Sequence, residues 1–185
     1  MNKSVSIRAA QLSDAAEIAH VHIATWRSTY EGIVPKAYLD GLNSEKRVQQ
    51  WQRMLTQVEP QNATLVATRL RDDGLGEQVI GFVSTGPNRA PNLKSDGELF
   101  AIYLLKEHQK KGTGKRLFEA GKNQLRQDGF TSIVLWVLAD SPTVQWYEAM
   151  GGQRVGEKTE EVGGKPLKEW AYFWPNTRVN GPKTQ

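Results

Sequence analysis

The chain of 185 residues and 20.7 kDa is 38% hydrophobic and 24% charged, enough for one domain that closes its own core without cross-links. It contains no cysteine, which excludes disulfides, thiolate metal sites and an acyl-cysteine intermediate, and it has no apolar run of about 18 residues to span a membrane. Lys and Arg number 24 against 20 Asp and Glu, giving a net charge of +4 and a pI near 9.3, a surplus that suits an anionic partner without naming one.

Residues 1–4 lead straight into a strand-like run rather than an apolar leader, so a cytoplasmic protein is expected. Val5 to Arg8 alternates like a short strand. Ser13 reads as an N-cap with Asp14 and Glu17 in the first turn. Ala15, Ala19, Ile23 and Trp26 then recur at helical spacing, which predicts a helix to about Trp26 or Ser28. His20 and His22 fall on different faces of that helix, and with His108 they form no metal-binding set.

Tyr30 to Leu42, with Gly32, Pro35 and Gly41, reads as loop with one helical turn. Ser44 reads as the cap of a second helix whose inner face is Val48, Trp51, Leu55 and Val58. Ala63 to Leu70 and Val79 to Ser84 are strands of a hairpin turning at Asp73-Gly74, and Pro87 to Gly97 is a polar loop. Leu99 to Leu105 is continuously apolar, as a strand buried on both faces would be.

A helix over Gly114 to Gln127 follows, with Leu117, Phe118, Gly121 and Leu125 inward and Gly129 as its stop. Ser132 to Leu138 is a second continuous apolar strand. Ser141-Pro142 opens a short helix ended by Gly151-Gly152. Arg154 to Glu161 and Leu167 to Trp174 make a last hairpin around Gly163-Gly164, and 176–185 reads as a loose tail beyond one domain over 1–175. The two apolar strands and the helix between them make a βαβ unit with a right-handed crossover. The fold class is therefore α/β: a mixed, mostly antiparallel sheet with a central parallel pair and helices on both faces.

Chemistry concentrates between the first buried strand and its helix. Lys106, His108, Lys110, Lys111, Lys115 and Arg116 crowd into eleven residues. A solvated helix end, a nucleic-acid patch and a phosphate site all fit such a cluster. The absence of interleaved aromatics weighs against nucleic acid, and Gly112 and Gly114 favour phosphate, because backbone N–H groups there approach a ligand at a helix N-terminus. A P-loop would need Gly where Gln109 stands and Ser or Thr where Arg116 stands. A dinucleotide fingerprint would need a third glycine where Leu117 stands.

Gln109-Lys110-Lys111-Gly112-Thr113-Gly114, after a strand and opening a helix, resembles the pyrophosphate-binding motif of the GNAT N-acetyltransferase superfamily. Ile7 to Ala10 with Asp14, Trp26 and Tyr30 is similar to that family's first strand and helix. Gly97 to Leu104 resembles its central strand, and Trp146-Tyr147-Glu148-Ala149-Met150-Gly151 resembles its fourth helix. The resemblance, which covers most of the chain, implies acetyl-CoA as co-substrate and an amine acceptor.

It further implies that main-chain groups of Ile102, Tyr103 and Leu104 hold the pantetheine arm, with the Leu104 N–H facing the thioester carbonyl. Gln109, Lys110, Lys111, Gly112, Thr113, Gly114 and Lys115 would wrap the pyrophosphate. Tyr147 would protonate the departing thiolate, a role the thiol's solution pKa near 8.5 calls for. Where many relatives carry Asn, this chain has Asp140, a cofactor contact that keeps an acceptor and loses the amide donor.

The acceptor ammonium must lose a proton before it attacks, and Glu98, at the start of the central strand, is the candidate base, directly or through water. Acceptor-side candidates are Trp26, Tyr30, Glu31, Tyr38 and Trp170, suited to a cation by ring faces and charge. A non-catalytic acyl-CoA sensor is the alternative reading, and end strands that pair between subunits in the family leave a homodimer open.

Overall fold

The computed structural model describes residues 4–57 and 59–175, so the expected tail at 176–185 and the inward place of Val58 lie outside the described residues. Seven strands, β1 (Val5–Ala9), β2 (Ala63–Leu70), β3 (Glu77–Pro87), β4 (Gly97–Leu104), β5 (Ser132–Leu138), β6 (Gln153–Val162) and β7 (Lys165–Pro175), form one sheet in the order β1-β2-β3-β4-β5-β7-β6. Every neighbouring pair is antiparallel except β4 and β5. The helices are α1 (Ala15–Thr29), α2 (Lys36–Asp40), α3 (Ser44–Thr56), α4 (Thr113–Gln127) and α5 (Val144–Ala149). The mixed sheet with one central parallel pair is the arrangement the sequence predicts.

Helices cover both faces. On one, Ile18, Ala19 and Val21 of α1 and Trp51 of α3 pack on Val66, Val79 and Phe82. On the other, the Leu117, Phe118 and Leu125 stripe of α4, with Val144 and Tyr147 of α5, packs on Val83, Leu99, Ile133 and Leu135. Gly121 lets α4 settle onto β3: a Cβ there would stand 2.9 Å from a Val83 methyl. Among the described residues no helix is long and apolar enough to cross a membrane.

Three helix starts differ from expectation, each because a neighbouring polar group competes better. Ser13 lies inside a 3-10 turn, Leu12–Asp14, and Asp14 caps that turn by accepting from the Gln11 N–H at 2.7 Å while also holding Arg8 at 2.7 Å. Asn43, one residue ahead of Ser44, caps α3 by accepting from the Lys46 N–H. Ser141-Pro142 forms a turn closed by the Val144 N–H bond to the Ser141 carbonyl, so α5 starts at Val144.

A register slip in β4 positions the site. Ser84 pairs with Ala101 and Thr85 with Leu99, so Phe100 is an extra residue bulged out of the β3–β4 ladder. The slip puts Tyr103 on the α1 face with Glu98, while Leu99, Ile102 and Leu104 pack toward α4. Beyond it β4 and β5 separate: their pairing is confined to Gly97–Ile133 and Glu98–Val134. The middle of β4, expected to be buried on both faces, is consequently half-buried from Phe100 to Tyr103.

Candidate active site

The separation of β4 from β5 leaves a wedge with main-chain groups on its wall. The Leu105 N–H bonds the Ile80 carbonyl at 2.9 Å. By the alternation of an antiparallel ladder, Tyr103 and Ala101 also turn their main-chain groups to β3, and Ile102 and Leu104 turn theirs toward β5. The Leu104 N–H therefore faces the wedge. Its carbonyl accepts from Gln109 Nε2 at 2.9 Å, which ties the following loop to the strand end.

That loop runs through Lys110 at φ 58° and Gly112 at φ 82°, both left-handed, into α4. The first intrahelical bond is Arg116 N–H to the Gly112 carbonyl, so the N–H groups of Thr113, Gly114 and Lys115 have no partner within the helix. A Cβ added at Gly112 would meet nothing within 4 Å, and one at Gly114 nothing nearer than 3.9 Å. Gly112 thus answers its left-handed φ rather than crowding, Gly114 answers no crowding, and together they leave the backbone N–H groups at the helix start open.

The basic side chains divide. Lys111 bonds the Glu107 carbonyl and Arg116 the Val5 carbonyl. Lys110 and Lys115 have no ion pair among the described residues and stand at the turn. Asp140 is exposed in the turn after β5.

Tyr147 is buried on α5 among Leu104, Leu135, Val137 and Tyr172, whose ring stacks on it at 6.4 Å. Burial pushes its hydroxyl well above the ordinary phenol range, a hydrogen bond with Thr143 opposing in part. The group stays protonated at any working pH and is available as a donor. Trp146 packs edge-on against Phe118.

On the opposite face the wedge opens into a cavity of about 420 Å³. Trp26, Tyr30, Phe100, Tyr103 and Trp136 supply aromatic walls, and Glu98, Arg89, Lys158 and Glu169 the charges. Trp26 and Tyr30 thus stand where expected. The Tyr38 ring sits tilted against Trp26 at 6.1 Å, Trp170 lies under the Arg154 guanidinium, and neither they nor Glu31 line the cavity. Glu98 is almost wholly buried and accepts three bonds from Arg89: from its N–H at 2.9 Å, Nε at 3.2 Å and Nη2 at 2.6 Å.

Sequence reasoning missed Arg89, Phe100, Trp136, Lys158 and Glu169. An arginine in a short loop just before a buried strand-start glutamate is a readable signal for the first. The others depend on the register slip and on how the last hairpin folds back, which no local pattern carries.

The family model described as FR47-like protein matches residues 79–162. The chain is 38% identical over 172 residues to the uncharacterized N-acetyltransferase YuaI of Bacillus subtilis (strain 168), covering 93% of this chain and 94% of that one. Among solved structures, PaiA N-acetyltransferase from Thermoplasma acidophilum, in complex with coenzyme A, aligns at TM-score 0.61 and 22% identity over 90% of this chain and 98% of its own. The yncA protein from Salmonella typhimurium, solved with acetyl-CoA, aligns at TM-score 0.65 and 15% identity over 98% of this chain and 99% of its own. The two structures share the fold, and identity of 38% along almost the whole of both sequences settles kinship: the chain belongs to the GNAT superfamily of N-acetyltransferases.

Proposed function

We propose that this chain, acting as one domain over residues 1–175, transfers an acetyl group from acetyl-CoA to a primary amine by direct attack in a ternary complex. The observation that carries the reading is the wedge between β4 and β5, with an open glycine turn on one face and the aromatic cavity on the other. Two substrates entering from opposite faces would meet at the Leu104 N–H. The coenzyme A solved with PaiA and the acetyl-CoA solved with yncA support the choice of donor.

The unpaired N–H groups of Thr113 to Lys115, with Lys110 and Lys115, hold the pyrophosphate. Gln109 fixes the turn, Lys111 flanks it, Asp140 contacts the cofactor from the turn after β5, and the Ile102 and Leu104 main chain holds the pantetheine amides. The Leu104 N–H donates to the thioester carbonyl oxygen as negative charge develops there. The amine nitrogen forms the new bond to the acetyl carbon, and the carbon–sulfur bond breaks. Glu98, whose two oxygens both accept from Arg89, takes the amine's proton through a water molecule at a remaining lone pair, and Tyr147 gives its proton to the thiolate sulfur.

The test is release of free CoA from acetyl-CoA across an amine panel, read with a thiol-reactive dye in a protein that has no thiol of its own. Tyr147→Phe is expected to lower kcat about 10²-fold with little change in melting temperature, and Glu98→Gln to lower it by a similar order. Burial of Tyr147 has a signed consequence: the donor must be protonated, so the alkaline limb of kcat/KM lies above pH 10. Tight acetyl-CoA binding without release for any amine would favour the sensor reading, and absence of binding would sink both.

A further inference from the structure

The charges lining the cavity are already matched among themselves, except on one side. Lys158 is held by Glu160 at 3.0 Å and Glu169 at 3.2 Å and rests over the Trp136 ring at 4.6 Å. Glu98 spends its bonds on Arg89. Glu98 has no oxygen clear of Arg89, and Glu169 meets Lys158 through Oε2 alone. Arg89 is different: Nε and Nη2 face Glu98, while Nη1 has no partner among the described residues and the side chain is 66% exposed at the cavity.

The guanidinium is also fixed in place. It lies over the Phe100 ring with Cζ 4.1 Å from the centroid, and its own N–H is anchored on Glu98. Its loop is knotted by Asn88, whose Nδ2 donates to the carbonyls of Ala90 at 3.0 Å and Ser95 at 2.9 Å while Oδ1 accepts from the Ala90 N–H at 2.8 Å. A second donor points the same way. The Tyr103 hydroxyl at the cavity wall accepts from Trp26 Nε1 at 3.0 Å, and a phenol that accepts one bond still has a proton to give.

We propose, resting on the acetyl-transfer reading above, that the acceptor is an amino-acid-sized amine that also carries a carboxylate, and that the free edge of Arg89 binds that carboxylate. The planar edge of a guanidinium matches two carboxylate oxygens, and its rigid mounting means little order is lost on binding. A plain cationic amine would use the Glu169 carboxylate but would leave the Arg89 edge without a partner. The carboxylate end sits at the rim with Arg89, and the amine reaches inward past Tyr103 to the wedge.

The experiment compares kcat/KM for matched acceptors, free amino acids against their carboxamides, in wild type, Arg89→Lys and Arg89→Gln. Wild type is expected to prefer the acid roughly 10- to 100-fold, the range of a charged hydrogen-bonded pair. The ratio should fall about tenfold in Arg89→Lys, which keeps a counter-charge beside Glu98, and approach one in Arg89→Gln. A merely structural role for Arg89 would lower both acceptors together and leave the ratio standing, which overturns the proposal. Equal turnover of acids and carboxamides by wild type overturns it while acetyl transfer itself stands. Absence of CoA release with every amine removes the underlying reading and the proposal with it.

Discussion

His22 sits within a ring of aromatics: Tyr103 at 5.0 Å, Phe82 at 5.9 Å, Trp26 at 6.1 Å and Trp51 at 6.2 Å between centroids. Its Nδ1 is buried without a protein partner. Burial first, and the Arg47 charge second, lower its pKa from 6.5 to about 3. The native state therefore holds this imidazole neutral, and the unfolded chain binds a proton that the native chain refuses. Stability from this group is complete above pH 6.5 and drains away as the pH falls toward 3, at up to about 1.4 kcal/mol per pH unit. Urea titrations from pH 7 to 4 should show that slope in wild type and a shallower one in His22→Phe. The sequence revealed that His22 differs in face from His20 and shares a face with Trp26 four residues on; its other partners, Trp51, Phe82 and Tyr103, come from α3, β3 and β4, which no spacing along α1 discloses.

Among the elements, α4 was legible almost whole, because Leu117, Phe118, Gly121 and Leu125 repeat at helical spacing between a glycine turn and Gly129. The slip in β4 was not legible. Leu99 to Leu105 is apolar throughout, so an extra residue changes no visible alternation, and period-two reasoning cannot say which side chains reach the cavity. The slip also depends on Gly86 of the neighbouring strand. A Cβ there would stand 2.7 Å from the Phe100 ring and would also collide with the Asn62 side-chain oxygen. Gly86→Ala is expected to cost about 1–3 kcal/mol in stability by overpacking. By moving the ring under Arg89 it should also raise KM for the acceptor more than for acetyl-CoA, which steady-state kinetics on both substrates will check.

For the molecule as a whole, topology followed from two apolar runs joined by a helix and flanked by hairpins, and the donor-side turn followed from its glycines. The acceptor side did not, because it is assembled from the end of α1, the loop before β4, β4, β5 and the last hairpin, each contributing two or three residues. The wedge that joins the two sides is pinned at its apex. Asp96, just before β4, accepts from the N–H and hydroxyl of both Thr131 and Ser132 at 2.6–2.8 Å, while its own N–H donates to the Ser132 hydroxyl. Burial alone would raise its carboxyl, but the four bonds together outweigh that and hold it down at about 2, so the clasp persists through any ordinary buffer. A fork locked at its root has no closed state to escape from, and a ligand pays no conformational tax on entry. Rapid-mixing traces of acetyl-CoA association should accordingly be single exponentials whose rate climbs in a straight line with concentration, and Asp96→Ala, by freeing the root, should bend that line toward a plateau.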